Sequence, residues 1–447
     1  MMPTDIITIG SSGARASRAS IEITAHNIAN ASNPDYARRR LNTGELVGSA
    51  IIDFQVSSAF SGVRIGGVQR ADSELFQLRV RDSGSDVARA DGELLGLTNA
   101  ETALEQSRVY DRLVAFEASL TLLESDPTDP ALRTGTIETA KQLAQTFRFA
   151  DDSMESTRSS LATEIEARAF DVNAAAQELA QVNRELVSAR EGSGGRAALL
   201  DARDAALRDL SQEIGIAVQF DEFGTATVEV DGAPPLTLVD GAVASTFAAT
   251  VNPDSTVTLS VDGSVGAANT GAMAGRISAL SQIAALADEL DAIATSTITR
   301  ANAAQASGSA LDGSAGQPLF SGTQAGDMTV VLNDGAGLAV AIAGAPAGSR
   351  DTANLGNFIA AIGADDGPIA ATDRALLSLS SRISGLDITR QGLSIINDSA
   401  MADLLAETGV DLDAEAADLI RLQQAFEANS RVIQVATSLF DTILGLR

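Results

Sequence analysis

The sequence predicts a mainly α protein with a smaller β-rich domain. Its arrangement is nested and axial, with paired terminal α-helices outermost, a helical-bundle domain inside them and an antiparallel β domain inserted in the bundle. Three observations carry this prediction. Apolar residues recur every seven positions at both ends, a helical period governs most of the interior, and a period of two takes over only briefly near the middle. At 447 residues the chain is too long for one ordinary core, so several domains are expected. Only 4% of residues are aromatic and Trp is absent, so the cores must be built from Ala, Leu, Ile and Val, which suits long helices and thin layers.

Thr4 and Asp5 can cap a first helix running to about Ala31, where Ser32, Asn33 and Pro34 supply stop and turn chemistry. Ile7, Ala14, Ile21 and Ile28 recur along it by sevens. Thr43 to Phe60 has no sustained period and reads as irregular. Helix signals then dominate from Ser73 to Gln212, interrupted by a turn at Asp126-Pro127-Thr128-Asp129-Pro130 and a break at Gly192-Ser193-Gly194-Gly195. Beyond Gly215, Ala226, Val228 and Val230 alternate with Thr227, Glu229 and Asp231, and Val257, Leu259 and Val261 continue the pattern. With turn signals at Asp231-Gly232 and Asp240-Gly241, residues 216–265 read as a small antiparallel sheet at the far tip. A helix over Ala274 to Ala306 follows, with Ile283, Leu286, Leu290 and Ile293 on one face. Then come a loop over Gly308 to Gly326, a hairpin over Met328 to Ala343 around Asn333-Asp334-Gly335, and a helix over Ala371 to Ala406. Asp411 and Asp413 precede the last helix, roughly 50 Å long, with Leu412, Leu419, Phe426, Ile433 and Phe440 spaced by sevens beside a second row of Leu422, Ala436 and Ile443. A helix of that length must project or pair. The expected division is 1–42 with 408–447 as a terminal coiled coil; 43–215, 271–325 and 350–407 as a discontinuous helical body; and 216–270 as a β-rich outer domain, with 326–349 a candidate addition.

The formal charge of −28 opposes binding to nucleic acid and to anionic membrane surfaces, and neither is expected as a partner. Arg38, Arg39 and Arg40 are too short a run for a nucleic-acid arm and read as a solvated helix end or surface loop. Cys is absent and His26 is the sole histidine, which removes thiol catalysis and ordinary zinc sites. Asp151-Asp152 and Asp365-Asp366 read as solvated acids, outside any calcium-loop pattern. No catalytic, cofactor or metal residues are assigned, and an enzyme is not expected. No apolar run approaches the roughly 20 residues of a membrane span, and Met1 to Gly13 lacks the pattern of a cleavable secretory signal.

The stretch Ala25-His26-Asn27-Ile28-Ala29-Asn30-Ala31-Ser32-Asn33-Pro34-Asp35-Tyr36-Ala37-Arg38 resembles the N-terminal signature of bacterial flagellar axial proteins, the rod, hook and hook-associated family. That signature reads Ala-Asn-Asn-Ile-Ala-Asn followed, after a short spacer, by Ser/Thr-Pro-Gly-Tyr. Here His26, Asn33 and Asp35 depart from it, and Asp35 is one of the few residues able to replace a left-handed Gly. The segment from Leu412 to Leu444 resembles the same family's closing helix. The segments 62–75, 113–127 and 199–204 resemble its hook-associated members.

The resemblance implies a structural subunit at the hook-filament junction, with Asn27, Ile28, Ala29, Asn30, Pro34 and Tyr36 as an assembly motif and the two stripes as assembly surfaces. It implies export without a cleavable signal to the extracellular flagellum. Its implied partners are copies of itself in a ring, hook protein below, a second junction protein above and an export chaperone on the C-terminal helix. Both ends are then expected to be disordered in the monomer. Other readings are a hook or distal-rod subunit, or a secreted coiled-coil adhesin or effector.

Overall fold

The computed structural model describes residues 3–48 and 59–445, with side chains described over 6–45 and 62–442. Ile443 of the second stripe therefore lies outside the described side chains, and 49–58 of the segment expected to be irregular lies outside the described residues. Helix α1 (Pro3–Ala29) leads into a hairpin of β1 (Arg39–Gly48) and β2 (Ala59–Arg70). The body follows as α2 (Glu74–Ser107), α3 (Val109–Leu123), α4 (Pro130–Ser188) and α5 (Gly194–Glu213). Strands β3 (Ile216–Phe220), β4 (Ala226–Val230), β5 (Leu236–Asp240) and β6 (Val243–Ala244) form one antiparallel sheet in that order. Strands β7 (Phe247–Val251), β8 (Val257–Val261) and β9 (Ser264–Gly266) form a second. The chain continues through α6 (Gly271–Ala306), the short strands β10 (Gly308–Ser309), β11 (Phe320–Ser321), β12 (Thr329–Val330) and β13 (Ala341–Ile342), and α7 (Ala353–Gly363). It closes with α8 (Pro368–Thr408) and α9 (Leu412–Gly445).

Helix α4 is the spine. Pro130 stands in its first turn, and the Asp129 carboxylate accepts the Ala131 and Leu132 N–H groups at 2.6 and 3.0 Å, so its start is capped. Its 59 residues span roughly 90 Å. Two cores are strung along it. Toward its C-terminal end Ile165, Val172 and Leu179 pack with Leu207 and Leu210 of α5, Leu280 of α6, and Val228, Leu238 and Phe247 of the sheets. Toward its start Leu143 and Phe147 pack with Phe116, Phe320 and Phe358, the Phe116 ring meeting each of the other two edge-on at 5.9 Å. The Val68 N–H of the hairpin donates to Gly192 just beyond the end of α4, so the sheets lie in the half of the body next to the terminal helices. This differs from the expected far-tip position. The tip is instead the helix-lined core around Phe116, because α4 runs back along the whole body before the strands begin.

The period-two reading of the strands matches their burial: Ala226, Val228 and Val230 are buried and their alternates are not. The two sheets are short and are pinned to helices by side-chain amides. Asn183 donates to the carbonyls of Ala226 and Gly241 and accepts the Ala226 N–H; Asn173 exchanges both bonds with Phe247. Asn302 does the same for Phe320, and Asn354 bridges Ala304 and Ala339. Asn183, Asn173 and Asn302 each offer the donor and acceptor that a neighbouring strand would have supplied, while Asn354 donates twice.

Three elements differ from their sequence reading. The described part of 43–60 belongs to the β1–β2 hairpin, which begins at Arg39, inside the expected terminal unit, and packs on α1. Residues 353–363, which the sequence places in the helical body without a helix of their own, form α7. No hairpin forms around Asn333-Asp334-Gly335: β10 pairs with β13, β11 pairs with β12, and 335–337 is a turn of 3₁₀ helix. The reason is Arg133, a 2% exposed side chain on α4 that donates to Pro127 at 2.6 Å and to the carbonyls of Gly335 and Leu338 at 3.0 Å each. It fastens the segment to the helix by its backbone acceptors. Arg133→Met should orphan those carbonyls and cost about 3 kcal/mol. Denaturant unfolding checks the loss, and a midpoint equal to the parent's would contradict it.

Candidate functional site: the clasp beneath the terminal helices

Helices α1 and α9 pair antiparallel along one face. A Cβ on Gly10 would stand 3.0 Å from Ile433, one on Gly13 would stand 2.5 Å from the Asn429 amide, and Asn27 meets Glu415 near the other end. The buried positions of α1 are small: Gly10, Ser12, Ala16, Ser17, Thr24 and Asn27. Small side chains let the two backbones approach closely, so the seam is narrow and the large apolar residues fall to its margins or beyond. Ile7, Ala14, Ile21 and Ile28 are half-buried, as are Leu419, Leu422 and Ile433; Ala436 is fully buried. Leu412, Phe426 and Phe440, which the sequence placed on the principal stripe, are 54%, 38% and 40% exposed. The ends expected to be disordered are thus helices covering each other, because each has a small-residue face the other can occupy.

The hairpin rides on α1. Ser12 Oγ accepts the Val63 N–H at 3.1 Å, and Gly62, with φ +98°, lies so close that a Cβ there would sit 2.2 Å from that oxygen. Only glycine suits that position.

Below the seam the motif residues converge. Asn27 uses its full amide capacity: Nδ2 donates to the Arg39 carbonyl at 2.9 Å and to Glu415 Oε2 at 3.0 Å, while Oδ1 accepts Tyr36 Oη at 2.8 Å and the Arg39 N–H at 3.1 Å. A hydroxyl of similar size has one proton to donate, whereas the amide supplies two donors and two acceptor lone pairs on separate atoms. Glu415, 2% exposed, also receives Arg38 Nε at 2.5 Å. The Arg38 N–H donates to Thr408, the last residue of α8. Arg39 stacks on the Tyr36 ring and reaches Asp201 of α5 at 2.6 Å. Asp201 and Asp204 both receive Arg70 from the end of β2, at 2.6 and 2.7 Å, and Arg203 folds onto Asp204. Asp35 pairs with Arg208. A continuous set of charge-assisted bonds thus ties α1, α9, the hairpin and the helical body at one point.

This corrects the reading of the arginine run. Arg38 and Arg39 are largely buried ion-pair partners, and only Arg40 is exposed, because the chain turns inward at Tyr36. The rest of the motif is local turn chemistry. Asn30 caps the His26 carbonyl at 2.8 Å, Asn33 accepts the Asp35 N–H, Pro34 and Ala29 are exposed, and Asp35 has no left-handed backbone. Sequence reasoning missed Glu415, Arg70, Asp201, Asp204 and Arg203 as members of the site. Asp201, Arg203, Asp204 and Arg70 stood in segments singled out only for resemblance, and no spacing rule links positions so far apart.

The electrostatics follow from burial. Burial raises the Tyr36 phenol above its ordinary value; nearby Arg39 opposes this, and Asp201 and Glu415 add to it. Burial acts to lower the Arg70 guanidinium, but Asp204 and Asp201 outweigh it and hold its pKa above that of a free arginine.

Residues 97–320 match the model of the flagellar hook-associated protein FlgK helical domain. The chain belongs to the flagellar hook-associated protein family. It is a structural protein of the flagellum. Residues 403–446 match a second model, the C-terminal region of flagellar basal body rod proteins FlgEFG. Flagellar hook-associated protein 1 of Escherichia coli K12 is 24% identical over 96% of this chain and 80% of its own length. The Salmonella typhimurium LT2 protein of the same name is 26% identical over 71% of this chain and 59% of its own. A flagellar hook junction protein structure from Burkholderia pseudomallei aligns with 54% of this chain and 46% of its own, at 22% identity and a TM-score of 0.45. The family's helical-domain match ends at β11 and the rod-type match begins in α8, so the clasp draws Glu415 from the latter and Asp201 and Asp204 from the former.

Asn27→Asp removes both donated bonds and sets a second carboxylate against Glu415, so α1 and α9 should lose about 2–3 kcal/mol of protection against hydrogen exchange. The body should keep its own protection; unchanged exchange in the two helices would refute this role. Tyr36 gives a pH test. Its phenol is neutral when protonated and the folded chain holds that proton more tightly, so its contribution is complete below about pH 10 and is lost as pH rises through the higher folded value. In a Tyr110→Phe background Tyr36 is the only tyrosine. Its tyrosinate absorbance should appear above the ordinary midpoint, and an ordinary midpoint would show that the clasp does not exclude water.

Proposed function

We propose that this chain forms the junction between the hook and the filament, as an extracellular structural subunit exported unfolded and acting without catalysis. Copies pack in a ring with hook protein below and a second junction protein above, and before export a chaperone covers the C-terminal helix. The terminal helices with their hairpin form the assembly unit, and the helical body with its β-rich flank projects outward.

One observation carries this reading: α9 is covered by α1 on one face only. On the others Leu412, Ile420, Phe426, Val432, Val435, Leu439 and Phe440 are all more than a third exposed along 34 residues. Burying each such side chain in an assembly contributes about 1–2 kcal/mol. A patch this long on a free monomer marks an interaction surface, while the net charge of −28 keeps unassembled copies apart. The separation of roles is also favourable, since the small-residue seam closes the subunit and the bulky stripe remains for neighbours.

Phe426 separates the two roles experimentally. Phe426→Asp changes a partly exposed side chain outside the seam, so the monomer should keep its fold within about 0.5 kcal/mol yet fail to enter flagella. Immunolabelling of intact flagella should find the parent chain in one narrow band at the top of the hook and the variant absent; a variant band of normal intensity would sink the proposal.

A further inference from the structure

The chain crosses between its terminal unit, made of α1, the hairpin and α9, and the body at 71–73 and again at 409–411, and neither crossing lies in a helix or a strand. Short links of this kind do not by themselves fix an angle, so contacts across the boundary must. Among the described residues, the hydrogen bonds and ion pairs that the hairpin and the turn before it make with α5 all end on the side chains of Asp201, Asp204 and Arg208. Arg39 and Arg70 reach those carboxylates through long, rotatable stems, so the knot can persist through a modest change of angle. It is a pivot. The Arg38 N–H on Thr408 sits beside the second crossing and adds no lever arm.

One contact with the body lies off the pivot and is made by backbone alone. Just before α5 the Gly192 carbonyl accepts the Val68 N–H at 2.7 Å. Gly67 lies so close that a Cβ on it would stand 3.0 Å from the Gly192 Cα and carbonyl oxygen, and a Cβ on Gly192 would stand 3.2 Å from the Gly67 Cα. Two backbones meet this closely in one relative orientation only. At 1.5 Å per residue Gly192 is roughly 10–20 Å along α5 from the pivot, which gives this contact the leverage to set the angle. It is also the weaker attachment, because a neutral hydrogen bond contributes about 1 kcal/mol net while those of the knot are charge-assisted. Beside it opens a cleft of about 490 Å³ between the hairpin and the turn from α4 to α5, and Asn42, Gln69, Asp72 and Glu191 on its walls are exposed. Side chains that are already hydrated lose little when such walls part.

We propose that the contact of Gly67 and Val68 with Gly192 is a releasable catch. Engaged, it holds the hairpin flush against the entry to α5 and fixes the terminal helices at one angle to the body. Released, it lets the terminal unit swing about the Asp201 and Asp204 knot while the knot and the seam of α1 and α9 stay closed. The device is intramolecular and acts whatever neighbours the subunit meets.

The test uses the full chain, whose lack of Cys allows a clean pair of spin labels. Gln177→Cys on α4 and Gln423→Cys on α9 place them at exposed positions on the two parts, and dilution with unlabelled chain leaves only intramolecular distances for double electron–electron resonance to read. Gly192→Asn adds a Cβ where the backbone is left-handed, φ +69°, a conformation that Asn tolerates. The parent should show one predominant distance. The variant should move most of it to a second, broader population while keeping the helical dichroism and a Tm within about 4 °C of the parent's. Hydrogen exchange in the parent reads release directly: the Val68 amide should be protected only about tenfold, and the Arg39 amide, held by Asn27 Oδ1, about a hundredfold more. An unchanged distance in Gly192→Asn, loss of Arg39 protection in that variant, or a Val68 amide as slow as that of Arg39 would each overturn the catch. If Gly192→Asn does not fold, the comparison of the two amides in the parent decides alone.

Discussion

The fold depends on bringing two chain ends, separated by almost four hundred residues, to one place and holding them there. The Asn27 amide does this by standing between the end of α1 and the start of α9, with Glu415 on one side and Tyr36 and the Arg39 backbone on the other. Buried charges are stabilising only when completely partnered, and Glu415 is partnered only if Arg38 has turned inward. That turn depends in its own right on Asn33 and Pro34. The arrangement is therefore all-or-none: loss of the turn at 33–36 strands a buried carboxylate, and loss of the carboxylate strands Arg38.

The helices and the period-two strands were legible because their patterns are local. Ile165, Val172 and Leu179 mark α4 by their sevenfold spacing, and Val228 and Val230 mark β4 by alternation. The β1–β2 hairpin was not legible, since its register shifts twice and breaks the alternation a strand reading needs. The segment 328–343 carried a sound hairpin signal, but Arg133, two hundred positions away, claimed the carbonyls of its turn. Within the site, Asn27 and Tyr36 were legible through a family signature and Asp201 as a partner was not. Heptad spacing marks the apolar stripe without showing which positions close the subunit: α1 and α9 meet through Gly10, Gly13 and Asn27, and Phe426 and Phe440 of the stripe stay exposed.

The same distinction explains how one pair of helices can serve two purposes. A seam of small and polar residues gives limited apolar burial but a defined register, because Asn27 and Gly13 each match one position on α9. The bulky residues, freed from that task, supply surface without specifying a partner within the chain. Stability of the subunit and avidity for its surroundings then rest on different side chains and can vary separately.

Helix α4 has a mechanical consequence. It contributes to both cores of the body without a loop between them, α2 and α6 run alongside it, and α8 packs on α2. A bending moment applied at the Phe116 end is therefore carried to the arginine-carboxylate knot as tension and compression along continuous helices, with no hinge at which the body could yield. The compliant elements are the turn at 30–36 and the short link between Thr408 and Leu412. Flexing under load is concentrated there, at the boundary between a stiff lever and the helices that anchor it.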